Sequence, residues 1–177
     1  MSASPNSSVQ KFTAPWSGLL KISSALITVI FLGCLPWAVA ALPNAGALRL
    51  FVGVGLPLAM VLAMAFMVKG FELQRGFLFI KRPLWKTRFP LADLQSVTID
   101  PNATERSIRL AGNSGWFAFV GWHRNSKLGV YRLYATNPKN AVILKFTSRT
   151  VVVTPGDPQA FAAAVQKAAG LKIPPAA

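Results

Sequence analysis

The distribution of apolar and polar positions divides the chain in two. From Ile22 to Leu42, "ISSALITVIFLGCLPWAVAAL", no residue is charged, and Leu50 to Val68, "LFVGVGLPLAMVLAMAFMV", is again charge-free between Arg49 and Lys69. At about 1.5 Å per residue each run can cross a hydrocarbon core of roughly 30 Å. The pattern predicts two membrane helices, about 20–42 and 49–68, joined by the connector "PNAGALR", in which Pro43, Asn44 and Gly46 are turn residues. Pro36 falls inside the first run, where a membrane helix tolerates it better than a soluble one. Gly53, Gly55, Ala59 and Ala63 are small enough to let the helices approach closely. The other reading, two buried helices of a soluble protein, asks a short remaining chain to wrap both runs on all sides. Ala38–Ala41, "AVAA", resembles a signal-peptidase site, but the long apolar run and the long polar lead before it favour an uncleaved span.

From about Lys69 the period changes to two, the mark of half-buried strands. In "RGFLFIKRP", Phe77, Phe79 and Lys81 share one face and Leu78, Ile80 and Arg82 the other. "KTRFPL", "SVTID" (Val97 and Ile99 inward), "SIRL" (Ile108 and Leu110 on one face), "GVYRLYAT", "NAVILKFT" and "TVVVT" continue the pattern. About seven short antiparallel strands are expected. The end is helical: Asp157 is placed to cap a helix, Pro158 to open it, Phe161, Val165 and Ala168 to form its apolar stripe, and Gly170 to close it. The organisation expected is a disordered tail over 1–18, two spans within 19–68, a folded domain over 69–170 and a tail over 171–177.

Charge sharpens this picture. Only 14% of the 177 residues are charged, against roughly a quarter in soluble domains. Lys and Arg number 19 and Asp and Glu 5, a net charge of +14 that draws the chain to polyanions such as phospholipid head groups. Lys69, Arg75, Lys81, Arg82, Lys86 and Arg88 follow the second span, while the connector carries only Arg49; the positive-inside rule places both termini in the cytoplasm. Cys34 is the single cysteine, which excludes an internal disulfide and a cysteine metal cluster.

No residue set reads as catalytic, and neither an enzyme, a metal site nor a cofactor is expected. His123 is the only histidine and is better explained by a loop or by packing than as a general base, which needs a nucleophile and an orienting group. Asp157 is accounted for by its cap, Asp93 sits in a polar gap, and Glu72 and Asp100 fall at outward strand positions. The basic stretch "KRPLWKTR" is the better candidate. Lys81, Arg82, Lys86 and Arg88 flank a turn bearing Trp85, a set of cations suited to an anionic head group. In "GWFAFVGWHRN", Trp116, Phe117, Phe119 and Trp122 suit either the domain's own packing or the head-group layer, with Arg124 reaching lipid phosphate or a carbonyl. Gly115 and Gly121 predict a loop or a bulged strand there. Stacking on nucleic acid fits the aromatics but not an anchored domain, so no nucleic-acid partner is expected.

"FPLADLQSVTI", then "GVYRLYATNPKNAVIL" followed by "VVVTPGDPQAFAAAV", together with "GWHRN", resemble segments of bacterial pleckstrin-homology-like (PH-like) domains, whose members often carry two N-terminal spans. "KRPLWKTR" also loosely resembles the basic pattern with which some eukaryotic pleckstrin domains bind phosphoinositides. The resemblance covers about Lys69 to Ala169. It implies an α+β membrane protein: an N-terminal transmembrane hairpin, then a PH-like antiparallel barrel or bent sheet capped by a C-terminal helix. The expected role is a binding or scaffold protein of the bacterial inner membrane, contacting anionic lipid, a protein partner or a second copy of itself. The alternative is an accessory subunit of a membrane enzyme or transporter.

Overall fold

The computed structural model describes residues 9–42 and 46–171. Pro43 and Asn44 of the expected turn, the first eight residues and 172–177 lie outside the described residues. Strand β1 (Gln10–Thr13) lies in the stretch expected to be a disordered tail. It pairs antiparallel with β2 (Gly70–Gln74), Thr13 opposite Gly70 and Gln10 opposite Leu73. Its isolation from the other strands in sequence hid it, since four residues of weak pattern acquire a partner only when the chain returns to them. Both apolar helices are therefore inserted between two neighbouring strands of one sheet. Helix α1 runs Gly18–Ala40 with Pro36 inside it. The second helix runs Gly46–Ala65 as α2 (Gly46–Leu50), a π-helical turn (Phe51–Gly55) and α3 (Leu56–Ala65). Pro57 lacks the N–H that would bond Gly53, and the π-helical turn precedes it, where such local widening relieves the lost bond. The helices touch where the missing side chain of Gly53 leaves room beside Val39.

β3 (Phe77–Lys81) and β4 (Lys86–Pro90) complete a first sheet of order β1-β2-β3-β4. The second sheet has the order β5-β9-β10-β8-β7-β6, built from β5 (Leu94–Ile99), β6 (Ile108–Trp116), β7 (Ala118–Asn125), β8 (Gly129–Ala135), β9 (Val142–Phe146) and β10 (Thr150–Val153). No closed barrel forms. The two sheets share no strand pairing, and helix α4 (Pro158–Ala169) lies against β5 of one and β2 of the other. Nor are all pairs antiparallel. β10 inserts between β8 and β9 and runs parallel to β8, Val152 opposite Leu133. The turn at Pro138–Asn140 makes this possible by carrying the chain from β8 across one strand position to β9.

The core lies between the sheets under α4. Leu78 and Ile80 point into it, as the alternation requires, with Phe71, Phe89, Tyr134 and Leu144. Phe161 of α4 meets Phe12 of β1 edge-on at 5.1 Å and Phe71 at 5.7 Å, so the helix locks the N-terminal strand in place. The Asp157 side chain accepts from the Ala160 N–H at 2.9 Å, and Gly170 ends the helix in the left-handed conformation. The buried face of α4 is Phe161, Ala162 and Val165; Ala168 faces solvent and Ala169 packs instead. A second cluster, with Tyr131, Leu133 and Val152, fills the other face of the larger sheet beneath Ala103. On the edge strand β6, Ile108 and Leu110 do not form a buried face as the pattern suggested: they are 71% and 55% exposed, because none of the described residues covers that end of the sheet. Ile99 is likewise at the surface.

The β6–β7 hairpin depends on a glycine pair. Gly112 (φ +118°) stands opposite Gly121 (φ +148°), and a Cβ on Gly121 would lie 2.0 Å from the Ala111 carbonyl oxygen. Gly121→Ala is expected to lower stability by at least about 2 kcal/mol, combining clash with strain. Gly129→Ala, at φ +67° with open space around it, is expected to cost only about 1 kcal/mol. Thermal unfolding of the detergent-solubilised chain reads the difference; equal losses would remove the steric account.

Candidate functional site

The segment 10–17 leads directly from the sheet into α1. The Thr136 hydroxyl donates to the Pro15 carbonyl at 2.9 Å, the Ser17 N–H donates to the Thr136 carbonyl at 3.0 Å, and the Ser17 side chain caps α1. α1 therefore leaves the domain at a fixed point, with Leu20 fully buried. Against its first turns rests the tip of the β6–β7 hairpin. The Ser23 hydroxyl donates to the Gly115 carbonyl at 2.8 Å, and the Phe117 N–H donates to the Ser24 hydroxyl at 2.9 Å. The Trp116 indole N–H reaches the Thr28 hydroxyl at 3.5 Å and its ring lies 5.9 Å from Phe31. Phe117 adopts φ +65°, a strained value for a non-glycine residue, held in place by the Ser24 bond, by Trp16 and by stacking on Trp116. The hydroxyls within the first apolar run thus have partners in the domain.

"GWFAFVGWHRN" resolves into the bulged end of β6 at Gly115, as its glycine predicted, a tip at Phe117 and strand β7, in which Gly121 takes φ +148°. Trp116 and Phe117 meet α1, Phe119 and His123 face the second cluster, and Val120 enters the main core. Trp122 and Arg124 lie further down β7, about 17 and 23 Å from Phe117 at the tip at about 3.3 Å per residue. They are therefore not neighbours of Trp116 and do not join it at the helices. His123 is buried and stacked on Tyr131 at 5.9 Å; burial, aided by Arg109, lowers its pKa below the usual histidine value.

The basic stretch divides just as sharply. Glu72 is buried rather than outward, and it takes Lys86 at 2.7 Å and Lys81 at 3.2 Å. Arg88 lies over the Phe77 ring at 5.0 Å. Arg82 alone turns inward, as its alternation phase with Leu78 and Ile80 demands. Its guanidinium carbon sits 5.4 Å from the rings of Phe66 and Trp85 and 5.3 Å from that of Tyr134. Trp85 in turn meets Phe66, at the end of α3, edge-on at 5.1 Å. The four cations expected to act together fall into three separate settings: Lys81 and Lys86 on Glu72, Arg88 on Phe77, and Arg82 among Phe66, Trp85 and Tyr134.

Arg82 borders a cavity of about 480 Å³ between the end of α3, the β3–β4 turn and the β6–β7 hairpin. Ala59, Leu62 and Ala63 of α3 form its apolar wall, and Gly112 and Gly121 its bare floor. Arg132 of β8 enters from the other side, over Trp122 at 5.1 Å and the same Tyr134 ring at 5.7 Å. Arg82 is only 8% exposed, its Nε has no hydrogen-bond partner, and no acid lines the cavity. Burial chiefly, with Arg132 adding, pulls the Arg82 pKa below its usual value; the nearby Tyr134 opposes this. No local pattern pointed to Arg132 or Tyr134: they lie 50 and 52 residues beyond Arg82, and only the strand order brings them to it. Among the described residues no cluster of three His, Cys, Asp or Glu side chains gathers as a metal site would require.

Two outcomes follow. Ser24→Val removes the partner of a buried N–H and is expected to cost about 1–3 kcal/mol, with faster hydrogen exchange at the Phe117 amide. Ala25→Val, on the outer face of α1, should change neither. The hydrogen bond from Lys86, reinforced by Lys81 and opposed by burial, holds the Glu72 carboxyl below its ordinary value of 4.5. Its stabilisation is complete above that unfolded-state value and is lost as pH falls through the lower folded-state one. Glu72→Gln should flatten that part of the acid profile of the melting temperature; an unaltered acid limb would discount the pair.

No curated protein and no solved structure matches the chain significantly. A family model described as "Bacterial PH domain" matches residues 69–169, which is the span from the start of β2 to the end of α4. The match covers more than half of the chain and takes in every strand but β1, so the chain belongs to the bacterial PH domain family.

Proposed function

We propose that the two helices span the bacterial inner membrane with both termini cytoplasmic, and that the PH-like domain is a non-catalytic binding or scaffold module lying on the anionic leaflet. One observation carries this reading. Both helices leave the domain side by side; the β6–β7 tip lies along roughly the first four turns of α1, as far as Phe31, and the β3–β4 turn lies along the last turns of α3. Trp116, Phe117, Leu84 and Trp85 consequently sit where the helices would enter the bilayer. Leu84 is 76% exposed at the tip of its turn. Along the helices, Leu26, Val29, Ile30, Val54, Leu58 and Val61 are all turned outward, an apolar surface that water does not tolerate at this size. Exposed Lys21 and Lys69 flank the two helix ends, and each base near an anionic leaflet adds roughly 1 kcal/mol. Membership of a PH domain family supports a binding role.

The test uses the full chain. It should stay in the membrane pellet after alkaline carbonate extraction. In nanodiscs, residues 82–88 and 114–118 should exchange hydrogen more slowly over phosphatidylglycerol than over phosphatidylcholine. Carbonate-soluble protein would overturn the membrane placement, and identical exchange in both discs would overturn the contact with anionic lipid.

A further inference from the structure

We infer that the cavity between α3 and the domain is a specific site for one anionic phospholipid, with the phosphate between Arg82 and Arg132 and an acyl chain along Ala59, Leu62 and Ala63. The inference rests on the membrane placement proposed above, and it assigns to Arg132 a role that no basic motif in the chain suggested.

Three features of the cavity define its occupant. The first is uncompensated charge. Two guanidiniums approach the same Tyr134 ring, one of them is over nine-tenths buried, its Nε is unpartnered, and no acid lines the space. A buried cation without a counter-ion is costly, and an anion restores the balance. Arginine suits phosphate in particular because it donates in pairs. The neighbouring Glu72 cannot serve, since it is held by Lys81 and Lys86. The second feature is the apolar wall. Ala59, Leu62 and Ala63 belong to α3 itself and extend about 9 Å from its end, so the cavity continues along the surface of an apolar helix. A free phosphate or a sugar phosphate has nothing to set against that wall, whereas a lipid has both a head and a chain. The third is size and preformation. A volume of 480 Å³ lies within the usual range for small-molecule sites. The bare Gly112–Gly121 pair, which the hairpin requires for its close approach, keeps the floor open.

The experiment is native mass spectrometry of the delipidated full chain in detergent, titrated with dioleoyl phosphatidylglycerol, dioleoyl phosphatidylcholine or glycerol 3-phosphate. One phosphatidylglycerol per chain is expected, bound about tenfold or more tightly than phosphatidylcholine. Arg132→Gln, at a partly exposed position, should abolish that preference without changing the melting temperature. Ala63→Trp should fill the wall and displace the lipid. Arg82→Lys keeps the charge but loses paired donation, and should weaken binding even if Arg82→Gln proves unstable. Equal binding of the two lipids, or undiminished phosphatidylglycerol binding in Arg132→Gln, overturns the inference. Glycerol 3-phosphate bound as tightly as the lipid also overturns it, in favour of a soluble phosphate ester. Any of these results with a carbonate-resistant chain leaves the membrane placement standing, whereas carbonate-soluble protein removes both.

Discussion

The pairing of β1 with β2 is the constraint from which the rest of the structure follows. Thr13 and Gly70 are opposite each other in one sheet, and the described residues between them are the two apolar helices and their short leads. Adjacent strands lie about 4.8 Å apart, so the chain enters α1 and returns from α3 at nearly the same place on the domain. The helices are therefore not a leash at one end of a folded unit. They are an insertion within it, held at both ends by backbone hydrogen bonds and by Phe161 of α4 packing across the junction. A domain tied at two points has a defined orientation relative to its helices, which a single linker does not give.

That orientation explains the placement of polar groups in an apolar setting. Ser23, Ser24 and Thr28 interrupt the first apolar run, and each meets the β6–β7 tip. The strained Phe117 presents its N–H to Ser24 at this tip, and the glycine pair behind it lets the two strands of the hairpin approach closely. Electrostatics are divided in a parallel way. Glu72 neutralises part of the basic turn on one face of β3, while on the other face Arg82 is left with Arg132, three aromatic rings and no acid. A single strand thus separates an ion pair from a cation that has no acid beside it, because successive side chains point to opposite faces.

Local signals were sufficient where the physics is local. Long charge-free runs need nothing beyond themselves to become apolar helices, and in β3 and β4 the period-two phase selects the buried residues, whereas β9 and β10 are central and buried on both faces. Asp157, Pro158 and Gly170 bound a helix through bonds spanning three or four residues. The same local logic failed for Ile108 and Leu110, whose burial depended on a covering element that the described residues do not supply. It failed for Glu72 as well, since an acid in an alternating strand reads as outward until two lysines from other strands are brought over it.

The sequence by itself therefore determined the helices, most of the strands, the capped C-terminal helix and the family resemblance, all of which rest on periodicity and short-range bonding. Only the tertiary structure decided that β1 belongs to the domain, that β10 separates β8 from β9, that the sheets stay open, and that Arg82 parts from Lys81, Lys86 and Arg88 to face Arg132. Each of these is a relation between residues far apart in the chain. The hydrophobic pattern fixes which face a side chain turns to, but pairing order fixes what stands opposite it, and pairing order is settled by the packing of the whole.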